Sequence, residues 1–283
     1  MQTNYFKNKT IIISGASEGI GAASAKKFYS QGANLILIAR REDVLNEFAS
    51  SFEDKKRIKT YAMDVLDYAK FSEVLKESKT HFGSIDILIN NAASHYRGNL
   101  ATVSPEQIEN MVSVNLTAPI VLTRLVLPYF EEQKNGLIIN IASLAGRTPV
   151  DNAAIYSSTK FGLRTFSKAF NCEYEGTDKN IRCCVISPGP ILTNFVLHDL
   201  DNVADLVFSQ PISTPEDIAE MIDKTAKDTQ FERVSGGFFT AMLTNMGYLF
   251  PSFKKKLTPL MQAKGRRMKN KLRQKRDAET RKN

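Results

Sequence analysis

Short apolar runs alternate along this chain with longer stretches of helical period, and this alternation constrains the fold more than any other feature. Continuous apolar runs of this length are typical of parallel strands that are covered on both faces. Their alternation with helices predicts an α/β fold, a doubly wound, Rossmann-type parallel sheet flanked by helices, with its ligand at the carboxyl ends of the strands. The predicted strands are Thr10–Ser14, Leu35–Ala39, Lys59–Met63, Ile85–Ile89, Leu137–Ile141 and Ile181–Ile186, and the predicted helices are Ile20–Ser30, Asp43–Ser51, Tyr68–Phe82, Pro105–Phe130, Ala153–Tyr174 and Pro215–Thr225.

The composition, 42% hydrophobic and 24% charged over 283 residues, is that of a soluble globular chain. The first ten residues, MQTNYFKNKT, contain no apolar run, so we expect no secretory signal and a cytoplasmic protein. The three cysteines, Cys172, Cys183 and Cys184, form no CxxC pair, and neighbouring strand residues point to opposite faces. With only three scattered histidines in addition, the sequence predicts reduced thiols and no bound metal.

The net charge of +8 is concentrated at the end of the chain. Residues 253–283 contain 13 Lys/Arg and 2 Asp/Glu, a charge of +11, which leaves −3 for the rest. We therefore divide the chain into a Rossmann-type domain, residues 1–242, and an apolar, then polybasic, extension, residues 243–283. Apolar residues recur at helical spacing in that region: Met242, Leu243, Met246, Leu249, Phe250, Phe253, Leu257, Leu260 and Met261.

This extension is too short and too polar to span a bilayer. An apolar stripe followed by many cations favours an interfacial helix on an anionic membrane, which would make the protein peripherally membrane-associated. A dimer contact through the stripe and a disordered solubilising tail are the open alternatives. Nucleic acid, which clustered cations also attract, is not the partner that we expect.

The first predicted strand runs into a glycine-rich turn, Ser14–Gly21, with the sequence SGASEGIG. Glycines in such a turn let a dinucleotide's diphosphate approach the backbone, and the following helix offers unpaired N–H groups. The position after a strand and before a helix is what a dinucleotide site requires. The same residues also match GxSxG, the nucleophile elbow of serine hydrolases, with Ser17 as nucleophile. That alternative needs a downstream histidine, and His198 is the only one in a plausible late loop.

The stretch AIYSSTK sets Tyr156 four residues before Lys160, on one face of a predicted helix. The same spacing occurs at Tyr5 and Lys9, where nothing else suggests chemistry. The spacing therefore identifies nothing by itself, and the surrounding motifs must decide.

Six motifs run through the chain in the order and spacing of one known family. They are the turn Ser14–Gly21 (TGxxxGxG in the family), Asn90–Ala93 (NNAG), Asn115 in SVNLTA, Ser143 thirteen residues before Tyr156, the pair Tyr156 and Lys160, and Pro188-Gly189 followed by Thr193. Through these motifs the chain resembles the short-chain dehydrogenase/reductase family from about residue 9 to 240. It departs from the pattern at Ser14, where the family has threonine, and at Ala93, where it has glycine.

The resemblance implies roles for four residues. Tyr156 would donate a proton to a carbonyl oxygen in reduction and remove one in oxidation. Lys160 would lower the pKa of that phenol from its usual value of about 10 and hold the nicotinamide ribose. Ser143 would hydrogen-bond the reacting oxygen, and Asn115 would hold a water that links Lys160 to solvent.

The resemblance also implies a nicotinamide cofactor. Strand two ends at Ala39 and is followed by Arg40 and Arg41, and arginine suits the 2′-phosphate of NADP where an acid suits the ribose of NAD. We predict that NADP(H) is preferred over NAD(H), although Glu18 in the glycine turn would oppose a phosphate. The predicted cofactor-binding residues are Ser14, Gly15, Ser17, Gly19, Ile20, Gly21, Arg40, Arg41, Asp64, Val65, Asn91, Ala92, Tyr156, Lys160, Pro188, Gly189 and Thr193.

The substrate is expected to be a carbonyl or alcohol, of apolar character if residues 191–211 close over it. That segment is rich in apolar side chains, but these could equally pack into the segment itself. We expect a homodimer or homotetramer built through Pro105–Phe130 and Ala153–Tyr174, and a last strand at Gly236–Thr240. A protein that binds NADP(H) for regulation without turnover is the alternative from another functional class, with the hydrolase third.

Overall fold

The computed structural model describes residues 5–191 and 205–280, with the side chains of residues 253, 254, 275 and 278–280 outside the description. Within these residues seven parallel strands form one sheet in the order β3-β2-β1-β4-β5-β6-β7. The prediction of a Rossmann-type parallel sheet is confirmed. The strands are β1 (Thr10–Ser14), β2 (Asn34–Ala39), β3 (Ile58–Ala62), β4 (Ile87–Asn90), β5 (Asn135–Ile141), β6 (Asn180–Ser187) and β7 (Glu232–Val234).

Helices cover both faces of the sheet because alternate residues of each strand point to opposite sides. Ile11 and Ile13 of β1 belong to the core on one face of the sheet, while Ile12 belongs to the core on the opposite face. The adjacent residues Cys184 and Cys183 divide between the two cores in the same way, as expected. The helices are α1 (Gly19–Ser30), α2 (Glu42–Ser50), α3 (Tyr68–Phe82), α4 (Pro105–Val112), α5 (Ala118–Gln133), α6 (Ala154–Tyr174), α7 (Pro215–Lys227), α8 (Gly237–Leu249) and α9 (Pro251–Thr280).

The order of the strands locates the ligand crevice. β1 is flanked by β2 on one side and by β4 on the other, so the chain reverses its direction of winding between β1 and β4. Loops on either side of such a switch point diverge and leave a crevice outside the carboxyl ends of the strands. The turn after β1 and the loop after β4 meet at this crevice.

The predicted helix Pro105–Phe130 is one continuous helical stretch with a π-turn at Ser113–Thr117 between α4 and α5. It starts at a capping box, in which Ser104 and Gln107 exchange hydrogen bonds with each other's backbone. Among the described residues, Pro105–Gln133 is also a helical segment long and apolar enough to cross a membrane. Its apolar residues Leu122, Val126 and Phe130 are buried against the sheet, as in the core helix of a globular domain.

The prediction of a last strand at Gly236–Thr240 is wrong. The last strand is the short β7, and the residues that follow form helix α8. Gly236 and Gly237 have φ values of +76° and +67°, and this left-handed pair turns the chain out of the sheet before the helix starts. Residue 242, where the sequence divides the chain, lies inside this helix.

Helix α9 extends the fold beyond the sheet and docks on a 3-10 turn, Asp205–Ser209. Arg266 Nε lies 3.1 Å from a carboxylate oxygen of Asp205, and Phe208 packs with Leu272. Gly265 allows this close approach, since a Cβ there would stand 1.8 Å from the carbonyl oxygen of Asp205. The prediction that the extension is helical is thus confirmed.

Candidate active site

The turn between β1 and α1 has room for a phosphate. Gly19 adopts the left-handed conformation (φ +55°), and nothing lies within 4 Å of the place that a Cβ would take. At Gly21 a Cβ would stand 2.1 Å from the carbonyl oxygen of Gly15, so glycine is needed for the turn to close. Glu18, the N-cap residue of α1, makes no side-chain cap hydrogen bond, which leaves N–H groups of the first turn available for an anion. Ser17 and Ile20 belong to this same turn.

The loop after β4 supports the glycine turn from behind. Ser14 Oγ accepts hydrogen bonds from the N–H groups of Asn91 (2.9 Å) and Ala92 (3.1 Å). The Asn91 amide in turn donates to the carbonyl oxygens of Ser14 and Gly15, at 3.0 Å each. Four predicted cofactor residues are therefore brought together, with Asn91 acting on the shape of the turn through its side chain.

Charged side chains stand at the rim of the turn. Arg41 Nη2 lies 2.5 Å from a carboxylate oxygen of Glu18, and both side chains are exposed. Arg40, the residue after β2, is exposed and has no hydrogen bond or ion pair with the part of the chain that the structure describes. The acid that opposes a phosphate is thus paired with one arginine, while the neighbouring arginine is available.

Asp64 and Val65 follow β3, next to β2 in the sheet. The Asp64 carboxylate accepts a hydrogen bond from the Leu66 N–H at 2.9 Å, which fixes its orientation at the strand end. Val65 is buried beside it. Both residues lie at the same edge of the sheet as Arg40, as an adenosine site there requires.

Tyr156 and Lys160 occupy successive turns at the start of α6. Tyr156 is half-buried, and Lys160 is only 2% exposed. Lys160 Nζ donates to the carbonyl oxygen of Ile141 at the end of β5 (2.9 Å) and lies 5.7 Å from the centre of the Tyr156 ring. Burial lowers the pKa of Lys160 to about 8.

The pKa of Tyr156 is raised by burial, which outweighs two influences that lower it. These are a side-chain hydrogen bond with Ser143 and the positive charge of Arg97. The resemblance implies that Lys160 lowers the pKa of Tyr156. In the structure, the cation that lowers this pKa is Arg97. A phenol in this setting is protonated at neutral pH and is therefore in the form that can donate a proton.

Ser143 caps the 3-10 turn Leu144–Gly146 that follows β5. Its Oγ accepts from the Ala145 N–H at 3.1 Å, and the Leu144 N–H donates to the carbonyl oxygen of Pro188 at 2.8 Å. The Ser143 turn and the Pro188-Gly189 turn are therefore held side by side at the ends of β5 and β6. Thr193 and His198 lie outside the described residues.

Asn115 lies in the π-turn and is fully buried. Its side chain brackets one residue of the loop after β4: Nδ2 donates to the Ser94 carbonyl oxygen (2.7 Å), and Oδ1 accepts from the Ser94 N–H (2.8 Å). Nδ2 also lies 3.4 Å from Thr159 Oγ1, in the helix of Tyr156. The extra residue of a π-turn often marks a functional site, and here it brings the loop, the turn and α6 together.

Two side chains near Tyr156 were missed by the sequence argument. His95 stacks on the Tyr156 ring, with centroids 4.1 Å apart and ring planes 22° apart. Arg97 follows two residues later and acts on the pKa values of both rings. Their position in the sequence could have indicated them, because both residues follow β4 and the carboxyl end of β4 lies at the switch point.

A buried ion cluster behind the site was also missed. Arg147 is 5% exposed and is bound to Glu232 of β7, to Thr244 Oγ1 (3.1 Å) and to Asn245 Oδ1 (2.9 Å) of α8. Glu232 also accepts from Arg164 Nε of α6 at 2.9 Å. No local pattern predicts these contacts, because the partners are far apart in the sequence.

The apolar segment 191–211 is described only in part. Phe208 is buried and packs with Val207, Ile212 and Leu272, and Ile191 packs against the core under α1. These side chains therefore contact the last helix and the sheet core as well as a neighbour in the segment. The apolar side chains from Phe195 to Val203 lie outside the described residues.

Within residues 5–191 and 205–280, no group of three His, Cys, Asp or Glu side chains could hold a metal ion. In the same residues, Ser17 makes no hydrogen bond to a histidine.

Comparisons with known proteins agree with this geometry. The family model described as short chain dehydrogenase matches residues 9–202. An uncharacterized oxidoreductase of Staphylococcus epidermidis is 33% identical over 66% of this chain and 80% of its own length. An NADP-dependent 3-hydroxy acid dehydrogenase of Schizosaccharomyces pombe is 34% identical over 76% of this chain and 85% of its own length.

Among solved structures, a metagenomic short-chain oxidoreductase in complex with NADP superposes with a TM-score of 0.65 at 27% identity. The match covers 81% of this chain and 97% of that structure. The family model alone covers well over half of the chain. The chain therefore belongs to the short-chain dehydrogenase family and is an oxidoreductase that acts on a CH–OH/C=O pair.

Proposed function

We propose that this protein transfers hydride between NADP(H) and a carbonyl/alcohol pair, with Tyr156 as general acid and base. The observation that carries the proposal is the grouping of Tyr156, Ser143 and Lys160 next to the switch-point crevice. Ser143 lies just after the carboxyl end of β5, and the other two residues lie in the first turns of α6. A nicotinamide cofactor supplies or accepts the hydride.

Each side chain then has a distinct task. Tyr156 keeps its proton at neutral pH because burial raises its pKa, and it gives that proton to the substrate oxygen in reduction. Ser143 donates a hydrogen bond to the same oxygen, on which negative charge develops. Lys160 holds the nicotinamide ribose, and Asn115 organises the loop and the helix around the pair.

The residues of the glycine turn fit a dinucleotide, since Gly19 opens the place where a diphosphate would lie. We further propose that NADP(H) is preferred over NAD(H). Arg40 is exposed and available for the 2′-phosphate, and Arg41 neutralises Glu18. Asp64 and Val65 would line the adenine side, and Pro188, Gly189 and Thr193 the nicotinamide side.

For the substrate we propose a small molecule with an apolar part close to its carbonyl or alcohol group. The apolar sequence of residues 195–203 supports the apolar part. The name of the Schizosaccharomyces pombe relative, a 3-hydroxy acid dehydrogenase, supports the alcohol group. The protein would act in the cytoplasm.

We also propose that helices α8 and α9 associate peripherally with an anionic membrane. Phe238 and Phe239 of α8 are 84% and 64% exposed, and Leu249 and Phe250 are 66% and 58% exposed. Exposed apolar side chains beside a +11 charge match the two attractions that hold interfacial helices on anionic lipid. A homodimer or homotetramer would form through α4, α5 and α6, whose outer faces carry partly exposed apolar residues such as Val112 and Phe161.

A carbonyl panel tests the reaction. The purified protein is mixed with NADPH and with ketones and 3-oxo acids of increasing chain length, and loss of NADPH absorbance is followed. We expect turnover with at least one compound. Binding of NADPH without turnover of any compound would favour the regulatory alternative, and labelling of Ser17 by a fluorophosphonate probe would favour the hydrolase.

A further inference from the structure

The loop after β4 presses an aromatic side chain flat against the proposed general acid. The rings of His95 and Tyr156 are stacked, with centroids 4.1 Å apart and planes 22° apart. Stacked aromatic rings attract each other in addition to the effect of the area that they bury. His95 therefore restricts the directions in which the Tyr156 ring can turn, although the mechanism above gives it no role.

Contacts on both sides of His95 hold it in this position. Ser94, the residue before it, is bound at both its N–H and its carbonyl oxygen by the buried side chain of Asn115. Behind it, the Tyr96 N–H lies 3.5 Å from Met111 Sδ of α4, and the Gly98 N–H donates to the Asn152 carbonyl oxygen at 3.1 Å. The imidazole is thus carried by a loop fastened to α4, to the π-turn and to the segment that leads into α6.

The charges around the ring favour a neutral imidazole. Burial lowers the pKa of His95, and the positive charges of Arg97 on the same loop and Lys160 of α6 lower it further, to about 4. A neutral ring stacks on Tyr156 without adding a third positive charge beside Lys160. The residue as a whole is exposed to solvent, so the contact does not close the crevice.

We propose that His95 is a positioning residue of the reaction, which holds the Tyr156 ring in the orientation for proton transfer. The proposal rests on the proposed role of Tyr156. A reacting group that is displaced by about 1 Å can lose on the order of a hundredfold in rate. His95 should therefore affect kcat, while cofactor binding, which uses other residues, should not change.

Three variants separate stacking from the other properties of the imidazole. His95→Phe keeps a flat ring and removes its nitrogens, His95→Gln keeps a polar donor and removes the ring, and His95→Ala removes both. With the substrate found in the carbonyl panel, we expect kcat to fall by about tenfold in His95→Ala and His95→Gln and by less than about threefold in His95→Phe. The KM for NADPH should be the same in all three.

Each other pattern would overturn the proposal. Full activity in His95→Gln with loss in His95→Phe would mean that the imidazole nitrogens, and not the stack, are used. An equal loss in all three variants, or no loss in any, would remove the positioning role. Wild-type turnover and its loss in Tyr156→Phe, measured in parallel, show whether the proposed function itself holds.

A titration without substrate gives a second and independent readout. The pKa of Tyr156 is obtained from the ultraviolet difference between each protein and its Tyr156→Phe counterpart. The groups that face the ring are His95 and Arg97 from the loop, Ser143 from the β5 turn and Lys160 from α6. Removal of the covering ring in His95→Ala should lower this pKa, because burial is what raises it, whereas His95→Phe should leave it in place. An unchanged value in His95→Ala would contradict the stack that carries the proposal.

Discussion

At the scale of single residues, the cofactor site combines a paired and an unpaired cation. Arg41 is engaged with Glu18, and Arg40 has no hydrogen bond or ion pair within the described part of the chain. A charge-assisted hydrogen bond contributes about 1.5–3 kcal/mol. The proposed preference for NADP(H) over NAD(H) therefore depends on one side chain, Arg40.

We predict that Arg40→Gln weakens the binding of NADPH by about 2 kcal/mol, roughly 30-fold in Kd, and leaves NADH binding unchanged. Fluorescence titration of both cofactors measures this. Glu18→Gln is the matched control at the same rim, and its NADPH affinity should not fall. Tighter binding of NADH than of NADPH by the wild-type protein would overturn the assignment.

Lys160 gives a prediction on pH. Burial brings its pKa from 10.5 down to about 8, so the side chain is protonated below pH 8 and loses its charge as the pH rises through that value. If its ammonium group holds the nicotinamide ribose, cofactor affinity should decline above pH 8. The decline should be absent in Lys160→Met, whose binding is weak at every pH. Titrations between pH 6.5 and 9.5 check this, and a pH-independent wild-type Kd would exclude the role.

Residues with local signatures could be predicted from the sequence, and residues with distant partners could not. Ser143, Tyr156 and Lys160 are recognisable through the resemblance of six motifs, in one order, to a known family, since the spacing of Tyr156 and Lys160 also occurs at Tyr5 and Lys9. His95 and Arg97 carry no such spacing, since a loop of irregular shape brings them to Tyr156. The Glu18–Arg41 pair also depends on how two separate turns approach each other.

At the scale of elements, the Arg147–Glu232 cluster joins the Ser143 turn, α6, β7 and α8. Burial alone would raise the pKa of Glu232, but hydrogen bonds from Arg147 and Ser187 and the charges of Arg147 and Arg164 hold it below its ordinary value. A carboxylate with a lowered pKa stabilises the fold fully above its unfolded pKa, about 4.3. That stabilisation is lost as the pH falls through the lower, folded value.

Glu232→Gln should therefore destabilise the protein at neutral pH by about 3 kcal/mol, because it leaves Arg147 buried without its counter-charge. The difference from the wild type should shrink as the pH falls below about 4. Urea unfolding at pH 7.5 and at a series of pH values below about 4 measures both differences. A difference that is small at pH 7.5, or that does not shrink along the acidic series, would argue against the cluster as a stabilising anchor.

The strands and helix α8 show which elements the hydrophobic pattern of the sequence can and cannot predict. Six strands were predicted close to their true bounds, and in all but the edge strand β3 burial on both faces leaves a continuous apolar signal. The run after Gly237 is equally apolar but forms α8, since two left-handed glycines end the sheet and the apolar side chains then follow a helix. Periodicity over five residues cannot separate these cases.

At the scale of the whole molecule, charge and exposed apolar area are gathered at one end of the chain. The body carries −3 and the segment from residue 253 carries +11. Helix α9 packs against the body of the protein at the turn Asp205–Ser209, which belongs to the described part of the proposed substrate segment. A membrane bound by α8 and α9 would therefore lie near the substrate side of the protein.

We predict that the double variant Phe238→Ser/Phe239→Ser loses most of its binding to vesicles that contain anionic lipid. Each substitution removes an apolar side chain whose full burial contributes about 1.5–3 kcal/mol of binding free energy. The matched control is Leu100→Ser, which alters a side chain of 58% exposure in the turn Leu100–Thr102. Vesicle sedimentation measures binding, and equal pelleting of all three proteins would contradict the membrane proposal.

We propose that Tyr156 transfers the proton that accompanies hydride transfer. This is tested by comparing kcat and NADPH affinity of the wild type with those of Tyr156→Phe, which keeps the ring and its stack on His95 but lacks the hydroxyl. We expect kcat to fall by at least about a hundredfold, as loss of a general acid produces, and the Kd for NADPH to stay within about twofold. Turnover by Tyr156→Phe at the wild-type rate would contradict it.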